Sequence, residues 1–259
     1  MLRRRRPQYD PVVEWMRRQE MELRRERRML RILLERLEGV AELREFLLKE
    51  LQKASPRTDP ETLREALYFL GLTGEEETFD TLVGLTARAT EAGGIVLDRE
   101  TAPWLSSPPV RADFYGALGL LGQRLSERDR PRLERLTSLL REGVRDEHPD
   151  VRAAAATALG RAVKHASSAR ELFVKSVPAV VQLLSDPSWQ VRCAAVWALA
   201  EIPHVQSVRA LKELAERSSD PHLRQLAEMG VQKIRERASY LRYLGRSVLA
   251  VKSLFPKLL

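Results

Sequence analysis

From residue 56 onward, apolar residues recur at spacings of three and four, and a Val/Leu-Arg pair preceded closely by proline recurs five times. The copies open at Pro60, Pro109, Pro149, Pro187 and Pro221, and their pairs are Leu63-Arg64, Val110-Arg111, Val151-Arg152, Val191-Arg192 and Leu223-Arg224. The five arginines stand 47, 41, 40 and 32 residues apart, averaging 40, the length of a two-helix repeat unit. Each copy predicts a helix, designated B. In the fourth copy Val191, Ala194, Ala195, Ala198 and Leu199 fall at relative positions 0, 3, 4, 7 and 8, one face of an α-helix. Proline in a first turn costs no hydrogen bond, and Asp186 or Asp220 before it can cap. Upstream partners, designated helices A, are expected over 79–90, 131–144, 169–185 and 205–217. Nothing alternates with a period of two for long, so strands are not expected, and Glu75, Glu76 and Glu77 read as a solvated turn.

At these residues the sequence resembles the HEAT-repeat family, including the bacterial HEAT-like repeats of phycobilisome lyases. Asp146 with Val151-Arg152, and Asp186 with Val191-Arg192, match the family's Asp and Val-Arg pattern. The resemblance covers roughly residues 56–236 and is best at the third and fourth copies. The first two copies depart from it: Arg64 lacks an Asp at the usual distance, although Asp59 is near. The resemblance implies an all-α, right-handed α-solenoid of about five HEAT-like two-helix repeats with helical N- and C-terminal extensions. It also implies a ladder between adjacent repeats involving Asp146, Arg152, Asp186, Arg192 and Arg224.

Three segments follow: a basic, charged helical extension at 1–55, the solenoid at 56–236, and a basic amphipathic helix at 237–259. Charge sharpens this division. The total of +8 resolves into +5 for residues 1–55, −2 for 56–236 and +5 for 237–259, where no acid occurs. Polyanion attraction follows clustered charge, so a nucleic-acid track along the middle loses support, while Arg3, Arg4, Arg5 and Arg6 at one end and Arg242, Arg246, Lys252 and Lys257 at the other remain candidates for nucleic acid. Residues 11–53 are expected to be largely helical, with a possible break at Gly39. They either cap the stack or dock on another protein. Residues 238–259, rich in Tyr, Leu and Val, serve as a last cap, a docking helix or a peripheral membrane contact. No apolar run reaches the roughly 18 residues needed to span a bilayer.

With 44% apolar and 31% charged residues the chain can bury a core. One cysteine, Cys193, gives neither a disulfide nor a Cys/His zinc cluster, and a cytoplasmic setting is expected. The four histidines lack close metal-ligand spacing, and Gly116, Gly119 and Gly122 form a small-residue helix face rather than a phosphate loop. No catalytic residue, metal or cofactor is proposed. An enzymatic alternative resembles the HEAT-like DNA glycosylases through Trp104, Asp113 and Trp189, and a chromophore-lyase-like helper is implied only by the lyase resemblance.

If helix B lines the concave face, as the resemblance implies, the fifth and sixth positions after each Val/Leu face outward. Tyr68, Phe69, Tyr115, Trp197 and Met229 fall there, an aromatic and Met column suited to a protein partner. The alternative is that Tyr68 and Phe69 are core and that Trp197 packs between repeats. A second candidate is the long stretch 93–109 carrying Trp104, since long insertions in compact stacks are often functional, although a plain surface loop is equally consistent with its Gly, Ser and Pro content.

Overall fold

The computed structural model describes residues 39–90, 94–165 and 170–236. Helix α1 (Val40–Lys53) begins after Gly39, whose φ of 103° is a left-handed conformation that glycine alone adopts without strain. Helix α2 (Pro60–Thr73) has Pro60 in its first turn and Asp59 as cap, accepting from Thr62 N at 2.9 Å and Thr62 Oγ1 at 2.7 Å. Asp59 is thus a cap and not a ladder residue. Helix α3 (Glu76–Thr86) starts three residues earlier than expected. The three glutamates are no solvated turn: Glu75 precedes the helix and donates its N–H to Thr78 Oγ1, and Glu76 and Glu77 lie in the first turn, where carboxylates favour a helix N-terminus.

The expectation of no strands fails in the long interval. Strand β1 (Ala87–Ala89) pairs antiparallel with β2 (Ile95–Leu97), Arg88 lying opposite Val96. Three-residue strands are too short for an alternation to be visible in sequence. Two side chains of helix α5 (Arg130–Gly143) satisfy the free edge of β2. Ser138 Oγ accepts from Ile95 N and donates to Ile95 O, each at 3.2 Å, and Glu142 accepts from Leu97 N at 2.8 Å. A 3₁₀ turn (Pro103–Ser106) then leads into helix α4 (Pro108–Gly122). Trp104 in that turn is 3% exposed and belongs to the core, so the stretch is neither a surface loop nor an exposed binding loop at its tryptophan.

The remaining elements are α6 (Pro149–His165), α7 (Arg170–Val174), α8 (Val177–Gln182) with a 3₁₀ turn (Leu183–Ser185), α9 (Trp189–Glu201), α10 (Val205–Arg217) and α11 over 221–236. The expected helix at 169–185 is broken into pieces around Ser176, and Pro178, two residues on, has no N–H to continue a helical ladder. All five residues expected to form the inner stripe of α9 are buried.

Helices α2, α4, α6, α9 and α11 form one row, the B layer, and α1, α3, α5, α7–α8 and α10 lie behind them. Close approach within the row has a repeated cause. A Cβ on Gly71 would come within 2.9 Å of Ala117 Cα, one on Gly119 within 2.8 Å of Ala158 Cα, and one on Gly160 within 3.2 Å of Ala198 Cα. The glycine that ends each of the first three copies therefore meets an alanine of the next, letting the backbones touch.

Candidate partner-binding face

The loops between helices A and B carry the inter-repeat ladder, which fixes the orientation of the B row. Arg111 is fully buried. Its Nε donates to Asp146 Oδ2 at 2.7 Å and its Nη2 to Asp146 Oδ1 at 2.9 Å, while Nη1 donates to the carbonyls of Leu105 at 2.8 Å and Ser106 at 3.3 Å. Arg152 repeats the arrangement one unit on, binding Asp186 at 2.7 and 3.0 Å and the carbonyls of Asp146 and Glu147 at 2.9 Å. Each arginine thus ties its own loop to the aspartate of the next, and the partner of Asp146 is Arg111, which the repeat alignment did not assign to the ladder. Burial alone would raise both carboxyl pKa values, but the arginine bonds and the N–H groups of His148 and Ser188 outweigh it, and both lie below the usual aspartate value.

The ladder frays at both ends. Arg192 donates to the carbonyls of Asp186 and Pro187 at 2.8 and 3.0 Å, and Asp220 receives the Trp189 indole N–H at 3.1 Å. Arg224 is exposed and makes no ladder bond among the described residues. At the other end Arg64 leaves the loop and binds Asp113 at 2.5 Å on the open face.

That face runs along the outward side of the B row, and its composition divides the expected column. Position six of each copy is on it: Gly116, Thr157 and Trp197 are half-buried and Met229 is 39% exposed. In the first copy, out of phase by one, Tyr68 is the outward residue at 41% exposure and Phe69 is half-buried. Tyr115 is a correction. It is 1% exposed and turns inward, edge-on to Phe114 with centroids 5.5 Å apart and against Gly143, where a Cβ would lie 2.6 Å from Tyr115 Cζ. Position five faces the interior in the middle copies, as the buried Ala156 and Val196 also show. Burial pushes the Tyr115 hydroxyl pKa well up, so it stays neutral.

Trp197 is both packed and accessible. Its ring covers Gly160, where a Cβ would lie 2.4 Å from Trp197 Cζ3, and its outer side lines a groove of about 940 Å³ with Ala200, Met229 and Lys233. Lys233 reaches across to the buried Glu201 at 2.5 Å. A second hollow, of about 360 Å³, lies at the other end among Arg64, Tyr68, Asp113, Gly116, Leu120 and Arg161. A Cβ on Gly116 meets nothing within 4 Å, so the face is open there. Between the two ends run the half-buried Ala153, Ala154 and Thr157. The result is a shallow strip with larger apolar side chains at both ends, a form that accommodates a polypeptide rather than a reacting small molecule.

Other sequence candidates separate in space. Trp104 is in the core, Trp189 is engaged by Asp220, and Asp113 lies on the open face beside Arg64, in a hollow that neither tryptophan lines. Cys193 is buried, and burial pushes its thiol pKa up to about 12. Among the described residues no group of three or more His, Cys, Asp and Glu side chains is disposed to hold a metal, and no helix is long and apolar enough to cross a membrane. The basic residues Arg3 to Arg6, Arg242, Arg246, Lys252 and Lys257 lie outside the described residues.

Residues 133–232 match the family model described as HEAT repeats. Among solved structures, the complex of CpcE and CpcF of phycocyanin lyase from Nostoc sp. PCC7120 is similar, with a TM-score of 0.51 and 16% identity, covering 73% of this chain and 98% of that one. A designed armadillo repeat protein in complex with peptide (KR)4 gives a TM-score of 0.50 at 17% identity, over 79% of this chain and 85% of that one. An archaeal HEAT-like repeats protein from Thermococcus onnurineus NA1 gives 0.48 at 16%, over 80% and 78%. No curated protein matches the sequence. At these identities the likeness to the first two carries the fold and not an activity. The family match places HEAT repeats over the last three helix pairs, and with the same B-row packing continuing through the first two, the chain has an all-α solenoid repeat fold.

Proposed function

We propose that the chain is a non-enzymatic scaffold that holds a protein partner along the open face of its B row. The observation that carries this reading is the row Tyr68, Gly116, Thr157, Trp197 and Met229, outward on successive B helices and ending in a charged hollow beside Tyr68 and a larger groove beside Trp197 and Met229. Large apolar groups presented on a rigid helical wall supply contact area at small entropic cost, which is what binding surfaces select. HEAT and armadillo folds commonly mediate protein binding, and the armadillo relative holds a peptide. The face mixes both charge signs, with Glu61, Arg64, Glu65, Asp113 and Arg161 around the first hollow, so it suits a polypeptide of mixed character better than a polyanion.

The test is affinity capture from the source organism with the natural chain and a Tyr68→Ala/Trp197→Ala variant, compared quantitatively by mass spectrometry. A specific partner should be lost with the variant while the helical circular dichroism stays the same. Equal recovery of every captured protein by both forms would overturn the assignment of this face.

A further inference from the structure

The third rung of the ladder has all its parts and is not assembled. In the two closed rungs, Arg111 and Arg152 donate Nη1 to the carbonyls six and five residues before them and turn Nε and Nη2 to the aspartate of the next loop. Arg192 is posed the same way. Its Nη1 donates to the carbonyls of Asp186 and Pro187, again six and five residues back, which leaves Nε and Nη2 without a partner among the described residues. The acceptor loop is built alike as well: Asp220 takes the His222 N–H on Oδ1 at 2.9 Å, as Asp146 takes that of His148 and Asp186 that of Ser188, both also at 2.9 Å. Its Oδ2, the oxygen that receives the arginine Nε in both closed rungs, instead receives the Trp189 indole N–H at 3.1 Å. Trp189 and Arg192 are three residues apart on α9, so the two donors that compete for Asp220 are neighbours on one helix face, about 6 Å apart at their bases. Asp186 is 8% exposed, whereas Asp220 is half-buried and reachable by water, as a carboxylate that changes partners has to be. The helices are also less tightly locked at this junction. The nearest atoms to a Cβ on Gly230 are side-chain atoms of Leu211 and Ala200, at 3.1 and 3.3 Å, and not the backbone of the preceding B helix.

We propose that the last helix pair, α10 and α11, has two seats on α9: one with Asp220 on the Trp189 indole, and one with Asp220 on the Arg192 fork, which closes the rung. The exchange is a slide of at most about one helical turn, a known mode of switching between packed helices. A forked arginine bond outweighs one indole bond, but closing the rung takes both charges out of water, so neither seat wins by a wide margin. The slide moves Met229 and Lys233 on α11 against Trp197 and Ala200 on α9, the walls of the larger groove. Which donor holds Asp220 therefore sets the groove, and a ligand seated between α9 and α11 selects a seat by its differential affinity for the two. The two seats concern the chain alone and do not depend on the partner reading above.

NMR of the full chain tests it through the arginine Nε–H groups and the Met229 methyl group. In the natural chain the Arg192 Nε–H should exchange with water at least about tenfold faster than those of Arg111 and Arg152, the scale of one charge-assisted hydrogen bond. Trp189→Phe keeps a ring and removes the competing donor, so it should slow Arg192 Nε–H exchange about tenfold. The same change should shift the Met229 methyl resonance, because that methyl lies in the groove with the Trp197 ring while Trp189 does not line it. Adding Arg192→Leu should undo the methyl shift, since nothing then draws Asp220 to the second seat; Arg192→Leu alone should leave it in place. An Arg192 Nε–H as protected as that of Arg152 in the natural chain overturns the proposal without any variant. Unchanged Arg192 exchange in Trp189→Phe, or a methyl shift that survives Arg192→Leu, overturns it equally.

Discussion

Replacing Asp146 by alanine isolates the ladder, because its partner has nowhere to go. The Arg111 side chain has no solvent exposure, and two of its contacts, at 2.7 and 2.9 Å, are to this carboxylate. In the variant the carbonyls of Leu105 and Ser106 still accept from Nη1, but among the described residues the acid left to it is Glu147 at 3.2 Å, whose side chain is 72% exposed. A desolvated guanidinium stripped of its main counter-charge costs about 3–5 kcal/mol. The lost cap to His148 N, now at 2.9 Å, adds to the damage at the entry of α6. The assay is urea unfolding followed at 222 nm at pH 7, with hydrogen exchange to localise the effect, which should appear first in α4 and α6, the helices that the pair joins. Replacing both partners, Arg111→Met with Asp146→Leu, should recover most of the loss, since an apolar pair leaves no buried charge. The pH dependence has a fixed sign. Asp146 is held below its unfolded pKa, so its contribution is present above the unfolded value near pH 4 and disappears as pH falls through the folded value. A loss under about 1 kcal/mol at pH 7 would refute the reasoning, showing Arg111 to be hydrated or paired again without cost.

Gly160→Ala should cost about 1–3 kcal/mol and shift tryptophan fluorescence, because the new methyl would collide with the Trp197 ring; adding Trp197→Leu should relieve most of the cost, and additive losses in the melts would contradict the packing. Glu142→Gln should raise stability by up to about 1 kcal/mol at pH 7, since burial holds the carboxyl above its unfolded pKa and its favourable contribution fades as pH rises, while an amide oxygen can still accept from Leu97 N. A lowered urea midpoint at pH 7 would oppose that. Alkylation of Cys193 at pH 8 should be on the order of a hundredfold slower in the native chain than in urea, read by mass spectrometry, because burial suppresses its thiolate.

The repeat was legible because its two periodic features have separate physical causes. The Val/Leu stripe is required by burial, and the Gly that closes each of the first three copies is required where Gly71, Gly119 and Gly160 let the next helix approach. Boundaries were less legible where side chains replace backbone partners. Ser138 and Glu142 hold the edge of β2 from 43 and 45 residues away, a relation that no local pattern carries. The outward column was half right for a geometric reason: adjacent helical positions differ by about 100°, so in the middle copies, packed on both sides, position five turns inward, while in the last described helix Glu228 and Met229 are both exposed. Tyr115 and Trp197 are equally aromatic in the string, and only the packed row assigns one to the core and the other to the groove. Arg111 was visible as a repeat residue, but its pairing with Asp146 required knowing which loops become neighbours.

Two glycines permit the most direct test of the open face. A Cβ meets nothing within 4 Å at Gly116 on the B row or at Gly84 on α3, so a side chain can start from either backbone without a clash, and replacing glycine within a helix favours the helix by about 0.5–1 kcal/mol. Affinity of the captured partner should be measured by titration against the natural chain, Gly116→Arg and Gly84→Arg. The account predicts at least about tenfold weaker binding for Gly116→Arg and none of that loss for Gly84→Arg, the scale of one obstructed contact region. Unchanged affinity with Gly116→Arg, or an equal loss with Gly84→Arg, would contradict a partner seated on the B row.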